Sequence, residues 1–169
     1  MQNVSIQNGL ILEFGVYYGK TIRMMANYFP NDIIHGFDTF EGLPSDWFNT
    51  KQGSYSTDGT LPSAPNNVKF LKGLFSESLP DFLANQPPSS DLTDLPIKLM
   101  NIDCDMYSST KDVFDLVHKR VIQGTIIIFD EYVQNPNWKE DEYKAFQEAV
   151  EEYGGTMNIL EYQWLHNKV

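Results

Sequence analysis

Six carboxylates of this chain stand where short apolar runs stop. Glu13 follows Leu10-Ile11-Leu12, and Asp38 closes Ile33-Ile34-His35-Gly36-Phe37. Asp103 and Asp105 follow Ile97-Lys98-Leu99-Met100-Asn101-Ile102, and Asp130 with Glu131 follows Thr125 to Phe129. In an open parallel sheet the carboxyl ends of the strands face one way and border the ligand crevice. Side chains far apart in sequence would then share one cleft. Asp103, Asp130 and Glu131 would converge if the fourth and fifth strands lay near its centre. Carboxylates crowded together without basic partners take up protons or a cation, and oxygen-only ligands favour Mg²⁺ or Ca²⁺ over zinc. His35, His118 and His166 are scattered and give no support to a histidine-based zinc site. The plainer alternative is that Asp38, Asp103 and Asp130 cap turns and that Asp105 is solvated.

The elements that must position these groups can be read in order. Leu10 to Leu12 is an unbroken apolar run, as expected of a central parallel strand covered on both faces. Gly15 and Gly19 allow positive φ and close approach of backbone to a ligand. A helix from about Lys20 to Phe29 follows, stopped by Pro30-Asn31-Asp32; its free N–H groups suit a carboxylate or phosphate. Tyr17 stands where a dinucleotide fingerprint needs its middle glycine, which disfavours a pyrophosphate there. Ile33 to Asp38 reads as strand two, Val68 to Leu71 as strand three, Ile97 to Ile102 as strand four and Thr125 to Phe129 as strand five. Asp38 lies at the distance from strand one at which α/β nucleotide binders place a ribose-binding carboxylate.

Between the strands, Gly73-Leu74-Phe75 turns into a helix carrying Leu79, Phe82 and Leu83. Ser109 with Asp112 resembles a capping box for a helix whose apolar face is Val113, Leu116, Val117 and Val121. Asn137 with Glu140 offers a second box, before a helix striped by Tyr143, Phe146, Val150 and Tyr153. Thr39 to Asn67 shows no periodicity but carries Phe40, Trp47, Phe48 and Tyr55, which suggests a lid or substrate-facing loop. Gln86 to Asp94 is a polar linker. Strands alternating with helices predict an α/β fold: a doubly wound, Rossmann-like, mostly parallel sheet with helices on both faces. Residues 1–169 read as a single domain.

Composition excludes several partners. A formal net charge of -11 and a single cysteine, Cys104, stand beside 41% hydrophobic residues. Nucleic acid and anionic membrane surfaces are disfavoured, because both recruit clustered Lys and Arg. No intrachain disulfide can form. The longest apolar run, Ile126 to Phe129, is far too short for a membrane span, so a cytoplasmic location is the expectation by elimination.

Four stretches resemble the macrocin O-methyltransferase-like family: Glu13-Phe14-Gly15-Val16-Tyr17-Tyr18-Gly19-Lys20-Thr21, Gly36-Phe37-Asp38-Thr39-Phe40-Glu41-Gly42-Leu43-Pro44, Ile102-Asp103-Cys104-Asp105-Met106-Tyr107-Ser108-Ser109-Thr110 and Phe129-Asp130-Glu131-Tyr132. They come in that family's order. The resemblance implies a class I methyltransferase fold, S-adenosylmethionine as methyl donor and, in several members, Mg²⁺. It implies that Glu13, Phe14, Gly15, Tyr17, Gly19 and Thr21 border the methionine end, that Asp38 takes the ribose hydroxyls with Thr39 and Phe40 beside the adenosine, and that Gly73, Leu74 and Phe75 flank adenine. Asp103, which also borders the donor, matches a metal-binding position together with Asp130 and Glu131; related enzymes carry two Asp where this chain has Asp130-Glu131. The implied reaction is in-line methyl transfer to a small-molecule hydroxyl of a sugar or natural product. The metal would lower the hydroxyl's pKa, and Asp103 or Asp105 would accept the proton.

Two features depart from that pattern. The chain enters its first strand soon after Met1, and Gly155 to Val169 alternates poorly where the family continues into an antiparallel hairpin. A reading-frame slip near Gly154 is one explanation. A partial, catalytically impaired methyltransferase domain that still binds the donor is therefore an alternative expectation, and an NAD-dependent oxidoreductase a weaker one. A homodimer is left open.

Overall fold

A computed structural model describes residues 6–88, 94–133 and 136–154. The expected departure at Gly155 to Val169, and most of the Gln86–Asp94 linker, lie outside the described residues. The elements in chain order are β1 Leu10–Phe14, α1 Lys20–Tyr28, β2 Ile34–Asp38, β3 Val68–Lys72, α2 Phe75–Ala84, β4 Ile97–Ile102, α3 Tyr107–Val117, β5 Ile126–Phe129 and α4 Glu142–Tyr153, with 3-10 turns at His118–Arg120 and Trp138–Glu140. The five strands form one sheet in the order β3-β2-β1-β4-β5. All four pairings are parallel. The chain winds outward from β1 to β3, then crosses back to β4 on the other side of β1. That reversal is the switch point at which open α/β sheets bind ligands. The α/β Rossmann-like fold expected from the sequence is the fold observed.

Alternation along β1 shows why the strand is apolar on both sides. Leu10, Leu12 and Phe14 enter the core under α2, α3 and α4, while Ile11 packs with Val16, Ile22, Met25 and Ala26 on the α1 face. Phe14 stacks on Phe37 of β2 with ring centroids 5.2 Å apart, tying the strand ends together beneath the cleft. Among the described residues no helix is long and apolar enough to cross a membrane.

Three local expectations are corrected. β1 runs through Glu13 to Phe14, so Glu13 lies inside the strand rather than at its mouth. α3 begins at Tyr107, with Met106 in the capping position and no side-chain cap, so Ser109 lies within the helix. The chain can start the helix that early because Asp105 adopts φ +61, turning sharply out of β4. Asn137 precedes a 3-10 turn, not α4, and makes no side-chain cap; α4 begins five residues on, at Glu142 after Asp141.

Segment 39–67 carries no helix or strand beyond an isolated bridge between Trp47 and Thr50. It is nevertheless folded on itself. The Phe40 carbonyl accepts from the Thr57 and Gly59 amides, and Leu43 exchanges backbone bonds with Gly53 and Ser54. Arg23 of α1 donates to the carbonyls of Tyr18 at 2.7 Å and Ser63 at 3.3 Å, fastening this segment to the glycine turn.

Candidate active site

A cleft of about 460 Å³ opens over the carboxyl ends of the strands. Of the residues singled out from the sequence, Gly15, Tyr17, Asp38, Thr39, Gly73, Leu74, Phe75, Asp103, Asp105, Asp130 and Glu131 line it. Glu13, Phe14, Gly19, Thr21 and Phe40 do not. Phe14 and Phe40 are fully buried core side chains. Gly19 is the N-cap of α1 and Thr21 sits in its first turn. Glu13 is 1% exposed, and Asn101 Nδ2 on the neighbouring β4 donates to its Oε1 at 3.1 Å. Burial holds the Glu13 carboxyl up at about 8, with repulsion from Asp103, Asp38 and Asp130 adding to it against the Asn101 bond.

Asp38 organises the middle of the cleft. Its Oδ2 accepts from the Val16 and Tyr17 amides, both at 2.8 Å, and its Oδ1 accepts from the Phe40 amide at 2.6 Å. Tyr17 (φ +49) and Phe40 (φ +58) are non-glycine residues in the left-handed region, a conformation that persists only where surroundings over-determine it. The carboxylate supplies that restraint, bracing the glycine turn against the start of the lid. Gly15 is needed for a different reason than ligand approach. At φ +87 its added Cβ would run into the Asp103 carbonyl oxygen, so glycine lets the β1 turn pass beneath the β4 loop.

The far end of the cleft is acidic. Asp103 and Asp105 receive no side-chain hydrogen bond among the described residues. Burial, reinforced by repulsion from Asp130 and Asp105, raises the Asp103 carboxyl to about 7. Burial, with repulsion from Glu131 and Asp130, raises Asp105 to about 7 as well. Beneath them lies a residue that periodicity assigned no role. Glu142, at the start of α4, is 0% exposed, and its Oε1 accepts from the Cys104 amide at 2.9 Å, between the two aspartates. Its Oε2 is buried without a hydrogen-bond partner among the described residues. Burial pushes the Glu142 carboxyl up to about 8. Its one signal in the sequence is an acidic residue immediately before the Tyr143–Phe146 stripe, which resembles an ordinary helix start.

Gly42 to Ser45 and Tyr55, from the stretch read as a substrate-facing loop, line the cleft as well, while Ser76 from α2, Cys104 from the β4 loop, and Ser108, Ser109 and Asp112 from α3 were missed as lining residues. The helix residues lie on polar faces that read as solvated.

Charge decides what the cleft suits. Six carboxylates line it, Asp38, Asp103, Asp105, Asp112, Asp130 and Glu131, and among the described residues no Lys, Arg or His does. A diphosphate placed there would meet only like charge, whereas a cationic sulfonium would be attracted. A divalent cation would be attracted too, but the donor arrangement does not serve it. No group of three or more His, Cys, Asp or Glu side chains among the described residues comes together as a metal site. The sequence expectation of Mg²⁺ on Asp103, Asp130 and Glu131 is thus not met by the side-chain geometry, although all three line the same cleft.

This sheet, with a glycine turn, a strand-end acid and a carboxylate wall at the switch point, is a class I methyltransferase architecture. Residues 12–132 match the family described as a methyltransferase domain, and the chain belongs to that family. Among solved structures it is similar to the calicheamicin methyltransferase CalS11, at 24% identity and TM-score 0.68 over 86% of this chain and 66% of that one. An apo structure of CalS11, described as a TDP-rhamnose 3'-O-methyltransferase of calicheamicin biosynthesis, gives 26% identity and TM-score 0.60 over 85% of this chain and 63% of that one. The chain therefore spans a little under two thirds of the length of these relatives. No curated protein sequence matches it significantly.

Proposed function

We propose that the chain is an S-adenosylmethionine-dependent O-methyltransferase acting on a hydroxyl of a small molecule, a sugar or natural product. The observation that carries this reading is the cleft's charge: a nucleoside-sized groove with a carboxylate at its midpoint, an acidic wall at one end and no lining cation among the described residues. The methyltransferase family match and the likeness to a sugar O-methyltransferase support it. The four sequence motifs support the finer placement among macrocin O-methyltransferase-like enzymes. The same charge argument weighs against the NAD-dependent alternative.

When bound, S-adenosylmethionine supplies an electrophilic methyl group: the carbon–sulfur bond breaks with its electron pair going to sulfur as the carbon–oxygen bond forms. The chain's residues prepare the rest. Asp38 holds the glycine turn and the lid start at the ribose position. Asp103 and Asp105 stand at the transfer end, and carboxyls near 7 are matched to removing a hydroxyl proton at neutral pH. Glu142 fixes the Cys104 backbone between them. The test is transfer of labelled methyl from S-adenosylmethionine to a panel of sugar and natural-product hydroxyls. Label appearing as an ether supports the reading; donor that binds without transfer to any acceptor favours the impaired-domain alternative. A cytoplasmic enzyme, with or without self-association, fits this proposal.

A further inference from the structure

Resting on the S-adenosylmethionine reading, we propose that the acceptor is an amine-bearing hydroxyl compound, an amino sugar or its glycoside bound as the ammonium, and that a diphosphate-linked sugar is refused. Placement comes first. The lid residues Leu43 to Ser45 border the cleft, and Ser45 Oγ lies 3.9 Å from Met106 Sδ at the start of α3. The lid therefore reaches the loop that carries Asp103 and Asp105. An acceptor entering beside it meets those two together with Asp130 and Glu131. Asp130 is exposed and Glu131 half-buried, so both are open to a ligand.

No ion pair among the described residues answers these charges. The cations of the lid, the end of β3 and α4 are engaged by other carboxylates: Lys51 by Asp46 at 2.6 Å, Lys72 by Glu41 at 2.9 Å and Lys144 by Glu140 at 3.4 Å. Arg23 is taken up by the Tyr18 and Ser63 carbonyls. The donor brings a single net positive charge, too little for the whole wall. Carboxylates left without basic partners favour a further cation, and an ammonium also donates the N–H bonds that a carboxylate can only accept. A second observation is aromatic. Tyr17 and Tyr55 line the same cleft, both exposed, with ring centroids 5.9 Å apart. Tyrosine faces beside carboxylates suit an alkylammonium group. TDP-rhamnose, the sugar in the description of CalS11, carries a diphosphate; against this wall that group would meet like charge.

Calorimetry on the full chain, saturated with S-adenosylhomocysteine and held in chelator, compares three probes: methyl rhamnoside, the same glycoside with an amine in place of one hydroxyl, and TDP-rhamnose. The amino glycoside is expected to bind roughly tenfold to a hundredfold more tightly than the neutral one, the scale of a hydrogen bond to a charged group. TDP-rhamnose should give no measurable heat. Asp130→Asn combined with Glu131→Gln, which keeps side-chain shape and removes both charges, should lose most of the amine preference. An amino glycoside that binds no more tightly than the neutral probe, TDP-rhamnose that binds as well as the amino glycoside, or a preference that survives both substitutions overturns the proposal. Mg²⁺ that binds by itself and erases the preference overturns it as well, by showing that the carboxylates take a metal instead. These outcomes leave the donor reading intact, whereas no binding of S-adenosylhomocysteine overturns both.

Discussion

Asp38 and Asp103 are strand-end carboxylates in one cleft, yet the fold surrounds them in opposite ways. Asp38 accepts three backbone N–H bonds, from Val16, Tyr17 and Phe40. Among the described residues Asp103 accepts none with its side chain; it lies among Asp105, Asp130 and Glu131 and is held up at about 7. Hydrogen bonds to a carboxylate favour its charged form, while burial and like charge favour the proton. The first carboxylate is therefore a fixed anion that shapes the binding end, and the second belongs to a group ready to exchange a proton at the transfer end.

Removing the proton acceptor should give the largest effect. Asp103→Asn is expected to lower methyl transfer about a hundredfold to ten-thousandfold, while S-adenosylhomocysteine affinity in calorimetry changes less than a few-fold. A comparable loss of affinity would erase the distinction between the two ends. Asp38→Ala should behave in reverse. With three amides stripped of their acceptor, and two left-handed residues released, donor affinity should fall roughly a hundredfold, on the scale of a single hydrogen bond to a charged group. Affinity within threefold of wild type would show that the turn holds itself.

A smaller effect concerns pH. The buried Glu13 and Glu142 carboxyls keep their protons to about 8 in the folded chain, against an ordinary value of 4.5. Between those values the folded state binds more protons than the unfolded one, so this contribution to stability is full below about pH 4.5 and is lost as pH rises toward 8. The melting temperature should fall by several degrees between pH 6 and pH 8.5. Glu142→Gln, neutral at both, should flatten that slope and melt higher than wild type at pH 8.5; an unchanged slope would mean that Glu142 is ionised in the fold. The smallest effect is expected at Arg23→Ala, which unfastens the lid from the glycine turn. Donor affinity should drop only about two- to fivefold, as befits exposed hydrogen bonds.

Much of this arrangement was legible in the sequence because central parallel strands are apolar on both faces, and a carboxylate directly after such a strand has few places to go. That logic located Asp38, Asp103, Asp105, Asp130 and Glu131. It misplaced Glu13, where one more strand residue moved the carboxylate from the mouth into the sheet. Glu142 escaped notice because its role depends on α4 packing beneath the β4 loop, a contact that no local pattern encodes. Asp112 escaped for a similar reason: as a polar helix residue it was legible only as a candidate cap. The capping box expected at Ser109 failed because a left-handed Asp105 starts α3 three residues earlier, a turn that composition does not announce.

Charge in the cleft should select a cationic nucleoside over an anionic dinucleotide. Calorimetry of the chain with S-adenosylmethionine and, separately, with NAD⁺ reads that choice. Micromolar binding of S-adenosylmethionine is expected, with no measurable heat from NAD⁺ at the same concentrations. NAD⁺ binding as tightly as S-adenosylmethionine, or no binding of S-adenosylmethionine, would overturn the donor assignment.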